Sequence, residues 1–281
     1  MRIFNSVVFR NALAIGRSFK VTRNTMSLIP NRGLKANVNG LELFYEQVGH
    51  GPKTVLLLPG ALGTTRTDFG PQLDDKSGLD YSKFTLVAWD PPGYGRSQPP
   101  PRDFTDFYNH DATCVANLMK TLGFEKYSVL GWSDGGITGL ILAARQPDAV
   151  EKLVAFGCNA YVSDADRACT RAIKNTDDWS PRLREPLEVF YGKEGLKKLW
   201  FDFVEHYNKF DDICKSDLPN IKCPVFLLHG DKDPMVGDEH FDYLVSNIKN
   251  IRTHRWPDGK HNIHMKYAKE FNELVTKFLS E

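Results

Sequence analysis

The sequence lacks the features that mark several classes of protein. Its five cysteines are odd in number and form no Cys-x-x-Cys pair, which excludes a disulfide scaffold or a zinc ribbon and favours reduced thiols. No run of about 18 apolar residues occurs, so no transmembrane helix is predicted. The 36 basic and 35 acidic residues nearly cancel, which leaves no net field to attract nucleic acid. The composition, 41% hydrophobic and 25% charged, is that of a globular protein.

Acidic residues are also absent from the chain before Glu42. Residues 1–34 carry six Lys and Arg side chains among apolar and hydroxyl-bearing ones. An acid-free, basic, amphipathic start is typical of an organellar presequence, so we predict a mitochondrial targeting segment over residues 1–34 and a mitochondrial location. A disordered basic tail is the alternative. Without these six residues the chain has 30 basic against 35 acidic side chains and is mildly acidic.

Short apolar, β-rich runs alternate with helix-like stretches over the rest of the chain. The runs cover residues 41–48, 55–58, 85–89, 127–130, 153–156, 225–228 and 253–256, and helical periodicity covers residues 111–122 and 137–145. Strands that alternate with helices predict a mostly parallel sheet flanked by helices. The alternation stops between about residues 159 and 219, where apolar side chains recur at helical spacing. We therefore predict one α/β domain over residues 35–281 with an inserted helical cap.

One motif carries the chemistry. Gly131-Trp132-Ser133-Asp134-Gly135 follows a predicted strand and precedes a predicted helix, the context in which Gly-x-Ser-x-Gly forms a nucleophile elbow. The residues two before and two after the nucleophile must be almost free of side chain, and both are glycine here. Asp134 as the nucleophile would put Trp132 at the first of these positions, which the turn does not accommodate. Ser133 is therefore the predicted nucleophile.

A serine nucleophile needs a general base and an acid that orients it, and in this architecture the chain order is Ser, acid, His. Asp231 and Asp233 both follow the predicted strand 225–228, and the usual Gly-x-x-Asp spacing favours Asp233. His261 follows the predicted strand 253–256 and is the predicted base. The carboxyl ends of the strands of an open sheet are where such groups collect.

Two other histidines compete with His261. His264 fits the first turn of a terminal helix predicted over residues 263–278, and His229 at a strand end fits a structural role. The spacing His261-x-x-His264 lacks the glutamate and the third ligand of a catalytic zinc site, so no metal is predicted.

An oxyanion hole requires two backbone N–H donors. Asp134 N–H, at the start of the helix after Ser133, is the first. The second is predicted in the glycine-bearing turn after the strand 55–58, from Ala61 or Leu62, which the sequence does not separate. Pro59 occupies the position at which many proteins with this kind of elbow have histidine. The loop over residues 90–97 lacks the third glycine of a dinucleotide fingerprint, so no nucleotide cofactor is predicted.

Several segments carry a resemblance to a known family. They are residues 56–60, 89–95, 130–138, 229–234 and 259–264. From about Ala36 to its end the chain resembles the α/β-hydrolase superfamily, and within it the mitochondrial serine hydrolases that cleave α-amino-acid esters. The resemblance implies Ser133, Asp233 and His261 as the catalytic triad and Asp134 as the residue that recognises the α-amino group of the substrate. Pro92 departs from the family pattern, since arginine is expected there.

The predicted function is hydrolysis of carboxylic esters of α-amino acids through an acyl-enzyme, with thiolactones as further candidate substrates. A carboxylate beside an oxyanion site favours a cationic substrate, which supports this interpretation of Asp134. The alternative is that Asp134 only accepts backbone or side-chain hydrogen bonds at the elbow. The alternatives are a carbon–carbon bond hydrolase of ring-cleavage diketones and a hydrolase-fold binding protein without catalysis. The expected partner is the small-molecule substrate alone, with no cofactor, metal, nucleic acid or membrane, and a monomer is expected.

Overall fold

A computed structural model describes residues 33–281 of the chain. The predicted targeting segment, apart from its last two residues, lies outside the described residues. The strands are β1 (Leu34–Val38), β2 (Leu41–Gly49), β3 (Lys53–Leu58), β4 (Phe84–Trp89), β5 (Tyr127–Trp132), β6 (Val150–Phe156), β7 (Val225–Gly230) and β8 (Ile251–Trp256). The helices are α1 (Thr65–Phe69), α2 (Phe107–Thr121), α3 (Asp134–Arg145), α4 (Asp164–Ala172), α5 (Pro181–Tyr207), α6 (Asp238–Asn247), α7 (Ile263–Lys266) and α8 (Ala268–Ser280).

The eight strands form one sheet in the order β1-β2-β4-β3-β5-β6-β7-β8. Strands β3 to β8 are parallel, whereas β2 pairs antiparallel with β1 and with β4. The chain leaves β3 towards β4 on one side and returns to β5 on the other, so the sheet order reverses at β3. Ligands of open α/β sheets bind at such a reversal, beyond the carboxyl ends of the strands.

The strand alternation divides the core into two layers. Leu56, Leu58 and Val129 pack on the side of α2 and α3, whereas Val55 and Leu57 pack on the side of α8. This is the period of two that sends successive strand residues to opposite faces. Because both faces are covered, the central strands are apolar throughout, which is why they were visible as short apolar runs.

The predicted mostly parallel sheet with an inserted helical cap is confirmed. The segment 159–219 contains α4 and α5 and contributes no strand to the sheet. Within α5, Gly192 has φ 65° and ψ 167° and divides the helix into two parts. The prediction of one terminal helix over residues 263–278 was wrong, because Tyr267, with φ −112° and ψ 36°, separates α7 from α8.

Candidate active site

Ser133 occupies a strained turn between β5 and α3. Its φ of 55° and ψ of −122° are costly for a residue with a side chain, by about 1–3 kcal/mol. The two flanking glycines make the turn possible, since a Cβ on Gly131 would lie 2.3 Å from the carbonyl oxygen of Gly135, and one on Gly135 would lie 2.0 Å from that of Leu58. In this conformation the Ser133 hydroxyl lies at the carboxyl edge of the sheet.

The structure brings His261 and Asp233 to this hydroxyl. His261 Nε2 lies 3.1 Å from Ser133 Oγ, and His261 Nδ1 lies 2.9 Å from Asp233 Oδ2. Asp233 Oδ1 accepts from the backbone N–H groups of Met235 at 2.8 Å and Val236 at 3.1 Å. A carboxylate only accepts, so Nδ1 carries a proton and Nε2 is free to accept the proton of Ser133.

The other candidates for the acid and the base make different contacts. Asp231 accepts from Arg255 Nε at 2.6 Å. His229 lies 3.2 Å from Asp238, and burial lowers its pKa. His264 is buried and donates from Nε2 to the Asp68 carbonyl at 2.8 Å. These contacts leave Asp233 and His261 as the pair that reaches Ser133.

Trp132, the residue before Ser133, holds the loop that carries His261. Its indole N–H donates to the His261 carbonyl at 2.9 Å, and the two rings lie 5.3 Å apart. Gly157, with φ 57°, passes close to the imidazole, and a Cβ there would lie 3.0 Å from His261 Cε1. Sequence reasoning treated Trp132 only as too large for the elbow, because its partner lies 129 residues away along the chain.

The turn after β3 lies against Ser133. Leu58 at the end of β3 is paired with Gly131 at the end of β5, and a Cβ on Gly60 would lie 3.1 Å from Ser133 Cβ. Gly63 N–H donates to the Gly60 carbonyl at 3.1 Å, so Ala61 and Leu62 occupy the centre of a β-turn. Leu62 has φ 61°, a conformation normally left to glycine at this turn position.

Asp68 also stabilises the turn after β3. Its Oδ2 accepts from Gly60 N–H at 2.9 Å, and its Oδ1 accepts from the Thr67 hydroxyl at 2.8 Å. Burial raises the pKa of Asp68 to about 7. Sequence reasoning missed this residue, because nothing in the local sequence marks its contact with Gly60, eight positions earlier.

The carboxylate of Asp134 belongs to a buried charge cluster. Its Oδ1 accepts from the Tyr108 hydroxyl at 2.9 Å, whereas its buried Oδ2 has no hydrogen-bond partner among the described residues. Arg102 binds Asp111 through two contacts of 2.7 Å each and donates to the Pro92 carbonyl at 2.9 Å. The Arg102–Asp111 pair is neutral, so the cluster carries one net negative charge when Asp134 is ionised.

Burial raises the pKa of Asp134 to about 7, against the opposing effects of the Tyr108 hydrogen bond and the Arg102 charge. An unshifted aspartic acid has a pKa near 3.8. The raised value means that the protein solvates this anion poorly, and that a cation placed beside it would stabilise the ionised form.

Comparison with known proteins places these features in a family. The α/β hydrolase fold family matches residues 53–191. The serine hydrolase BPHL of Mus musculus is 47% identical over 251 residues, which cover 87% of this chain and 85% of that protein, and BPHL of Homo sapiens matches to the same extent. The chain belongs to the α/β-hydrolase family. In structure, the α/β-hydrolase resembles the meta-cleavage product hydrolase CumD of Pseudomonas fluorescens IP01, with a TM-score of 0.73, 17% identity, and coverage of 88% of this chain and 97% of CumD.

These matches confirm the resemblance drawn from the motifs, which is to valacyclovir hydrolase, also called biphenyl hydrolase-like protein. They also confirm the predicted enzyme class, so this α/β-hydrolase is a serine hydrolase. The alternative of a binding protein without catalysis is thereby set aside. The likeness to CumD shows the fold alone.

Metal ligands and membrane-spanning helices are two further features that bear on the function of this α/β-hydrolase. Within residues 33–281, no three His, Cys, Asp or Glu side chains are grouped so that they would hold a metal ion. In the His261-x-x-His264 pair, His261 contacts Asp233 and His264 donates to the Asp68 carbonyl. In the same part of the chain, no helix combines the length and the apolar character needed to span a bilayer.

Proposed function

We propose that this serine hydrolase cleaves carboxylic esters of α-amino acids, with Ser133, His261 and Asp233 as its catalytic triad. The observation that carries the proposal is the Asp134 carboxylate directly after the nucleophile, with one oxygen held by Tyr108 and the other without a partner among the described residues. A substrate ammonium is the cation that would complete this group. Amino-acid thiolactones present the same amine and carbonyl and are included in the proposal.

The electrostatics of the site support a cationic substrate. An ionised Asp134 repels the oxyanion that forms next to it, so an uncompensated carboxylate at this position opposes catalysis. Arg102 provides only part of the compensation, because Asp111, which it binds through a bidentate contact, opposes its effect on Asp134. An ammonium two bonds from the scissile carbonyl would pair with Asp134 and remove the penalty, which favours α-amino esters over neutral ones.

In the acylation step Ser133 Oγ attacks the ester carbonyl carbon while His261 Nε2 takes its proton. Asp233 stabilises the imidazolium through Nδ1–H. The oxyanion is bound by Asp134 N–H, at the positive end of α3, and by a second N–H from the turn after β3. Ala61 and Leu62, at the centre of that turn, are the two candidates for this second donor.

The oxyanion intermediate formed by this attack then collapses. His261 returns its proton to the leaving alkoxide, the alcohol departs, and the amino acyl group remains on Ser133 Oγ. A water molecule attacks the acyl carbon while His261 takes one of its protons. Collapse of the second intermediate releases the amino acid, and the proton returns to Ser133.

The test compares three esters: L-valine benzyl ester, its N-acetyl derivative and p-nitrophenyl acetate. We expect the wild type to prefer the free amine over the N-acetyl ester by at least about thirtyfold in kcat/KM, since a desolvated charge pair contributes about 2 kcal/mol or more. Asp134→Ala should abolish this preference and retain activity on p-nitrophenyl acetate. Asp202→Ala, which removes a carboxylate bound to Lys198 on the cap surface, is the matched control.

Equal kcat/KM of the wild type for the free and acetylated esters would refute amine recognition. Turnover of a ring-cleavage diketone, with no turnover of any amino-acid ester, would instead establish the carbon–carbon bond hydrolase. The charge of the site disfavours that alternative, because such diketones are neutral or anionic and Asp134 would face them with a negative charge.

A further inference from the structure

A tyrosine from the cap contacts the turn that faces the nucleophile. The Tyr191 hydroxyl, on α5, donates to the Leu62 carbonyl at 2.9 Å and accepts from Gly95 N–H at 2.8 Å. The direction of both bonds is fixed: a backbone N–H only donates, so the hydroxyl uses its lone pair on Gly95 and its proton on Leu62. One hydroxyl therefore joins the cap to two loops of the α/β domain.

The contacted residue, Leu62, holds the unfavourable backbone conformation of the turn. A non-glycine residue stays at positive φ only where its surroundings determine its position from several sides. Asp68 fixes the first half of the turn through Gly60 N–H, and Tyr191 fixes the second half through the Leu62 carbonyl. The two anchors lie on opposite sides of Ala61, and together they fix the segment that carries both candidate oxyanion donors, the N–H groups of Ala61 and Leu62.

The second partner of Tyr191 is itself anchored in the α/β domain. Gly95 belongs to the loop after β4, where Asp90 accepts from the backbone N–H groups of Thr65 at 2.7 Å and Arg96 at 2.9 Å. Because Asp90 is buried and holds this loop in place, the loop provides a rigid reference for the Tyr191 hydroxyl. The helix break at Gly192 follows directly, so Tyr191 ends the first part of α5.

We propose that Tyr191 is a positioning residue for the oxyanion hole, which links docking of the cap to the alignment of the N–H donor that the turn after β3 supplies. The proposal rests on the proposed triad and oxyanion hole, and it does not depend on amino-acid specificity. When the cap is docked, the Leu62 carbonyl is clamped and the donor faces the oxyanion. When the cap moves away, both bonds of the hydroxyl break together and the turn loses one anchor.

The test is Tyr191→Phe, which removes the hydroxyl and retains the ring. The control is Tyr161→Phe, because Tyr161 also lies in the cap segment and its hydroxyl makes no hydrogen bond within the described residues. The substrate is p-nitrophenyl acetate, which lacks an amine, and the inhibitor is phenylboronic acid, whose tetrahedral adduct on Ser133 places an oxygen in the oxyanion hole. Thermal midpoints of both variants are measured alongside.

We expect Tyr191→Phe to lower kcat about tenfold with KM unchanged, since loss of a whole oxyanion donor costs about a hundredfold or more. The inhibition constant of phenylboronic acid should rise by the same factor, and Tyr161→Phe should change neither. Unchanged boronate inhibition in Tyr191→Phe would overturn the proposal, and so would an equal loss in Tyr161→Phe. If the wild type cleaves p-nitrophenyl acetate but no amino-acid ester, the proposed specificity fails and this test still stands.

If Tyr191→Phe does not fold, amide hydrogen exchange of the wild type provides the second measurement. Formation of the boronate adduct should slow exchange at Gly63, in the turn, and at Gly95, which is held by Tyr191. Protection at Gly63 alone would show that the turn and the cap are not linked and would overturn the proposal.

Discussion

Replacing Asp134 by asparagine should make the protein more stable, and the gain should depend on pH. Burial raises the pKa of Asp134 from 3.8 to about 7, so the folded state holds this proton more tightly than the unfolded state does. The folded state therefore loses stability as the pH rises from about 4 to about 7, where the unfolded carboxyl has ionised and the folded one resists ionisation. Asparagine does not titrate and avoids this loss.

The magnitude follows from the same two pKa values. Integrated from pH 5 to pH 8, ionisation of Asp134 lowers the free energy of unfolding of the wild type by roughly 2.5 kcal/mol, since each pKa unit corresponds to about 1.4 kcal/mol. The difference in free energy of unfolding between Asp134→Asn and the wild type should therefore increase by about this amount between pH 5 and pH 8. Asp68, whose pKa is also raised, is present in both proteins and cancels.

Urea unfolding followed by tryptophan fluorescence at pH 5 and pH 8 measures this difference. Effects of the substitution that do not depend on pH, such as altered packing or a changed hydrogen bond to Tyr108, contribute equally at both values and also cancel. Asp202→Asn, on the cap surface, is the control for removal of a charge. A difference of equal size at pH 5 and pH 8 would refute the reasoning, since it would show that folding does not perturb the titration of Asp134.

Three further predictions concern other parts of the chain. Trp132→Phe removes the indole N–H that holds the His261 carbonyl, and kcat for p-nitrophenyl acetate should fall up to about tenfold, the value of one hydrogen bond; an unchanged kcat would contradict this. Asp68→Ala removes the acceptor for Gly60 N–H and should lower kcat/KM by about tenfold, whereas Asp68→Asn keeps an acceptor and most of the activity. Residues 1–34 fused to a fluorescent protein should direct it to mitochondria, as judged by microscopy, and diffuse fluorescence would reject the targeting segment.

The sequence predicted those parts of the fold that local patterns determine. The central strands are buried on both faces and therefore appear as short apolar runs, and the elbow is marked by two glycines whose Cβ atoms would collide with backbone. The short edge strand β1 and the helix α6 were not predicted. Much of β1 is exposed and α6 presents only a few buried residues, so neither produces a strong pattern.

Contacts between distant segments were beyond the reach of sequence reasoning. Asp134 was recognised as unusual because its carboxylate follows the predicted nucleophile, but its partner Tyr108 lies 26 residues earlier. The contact between Tyr191 and Leu62 joins residues 129 positions apart. Nothing in the local sequence of either residue predicts such a pairing, because the sheet order and the cap insertion determine which loops meet.

Two buried carboxyl groups near the proposed oxyanion site, Asp68 and Asp134, would oppose catalysis that develops negative charge. Their raised pKa values resolve part of this conflict, since burial favours the uncharged form of each group. The two differ in their partners: both oxygens of Asp68 accept hydrogen bonds, whereas Asp134 has one oxygen without a partner among the described residues. Asp68 therefore has both oxygens engaged within the protein, whereas Asp134 keeps one oxygen that could accept from a cation. An ammonium on the substrate would serve recognition and charge compensation at once, and a neutral ester would offer neither.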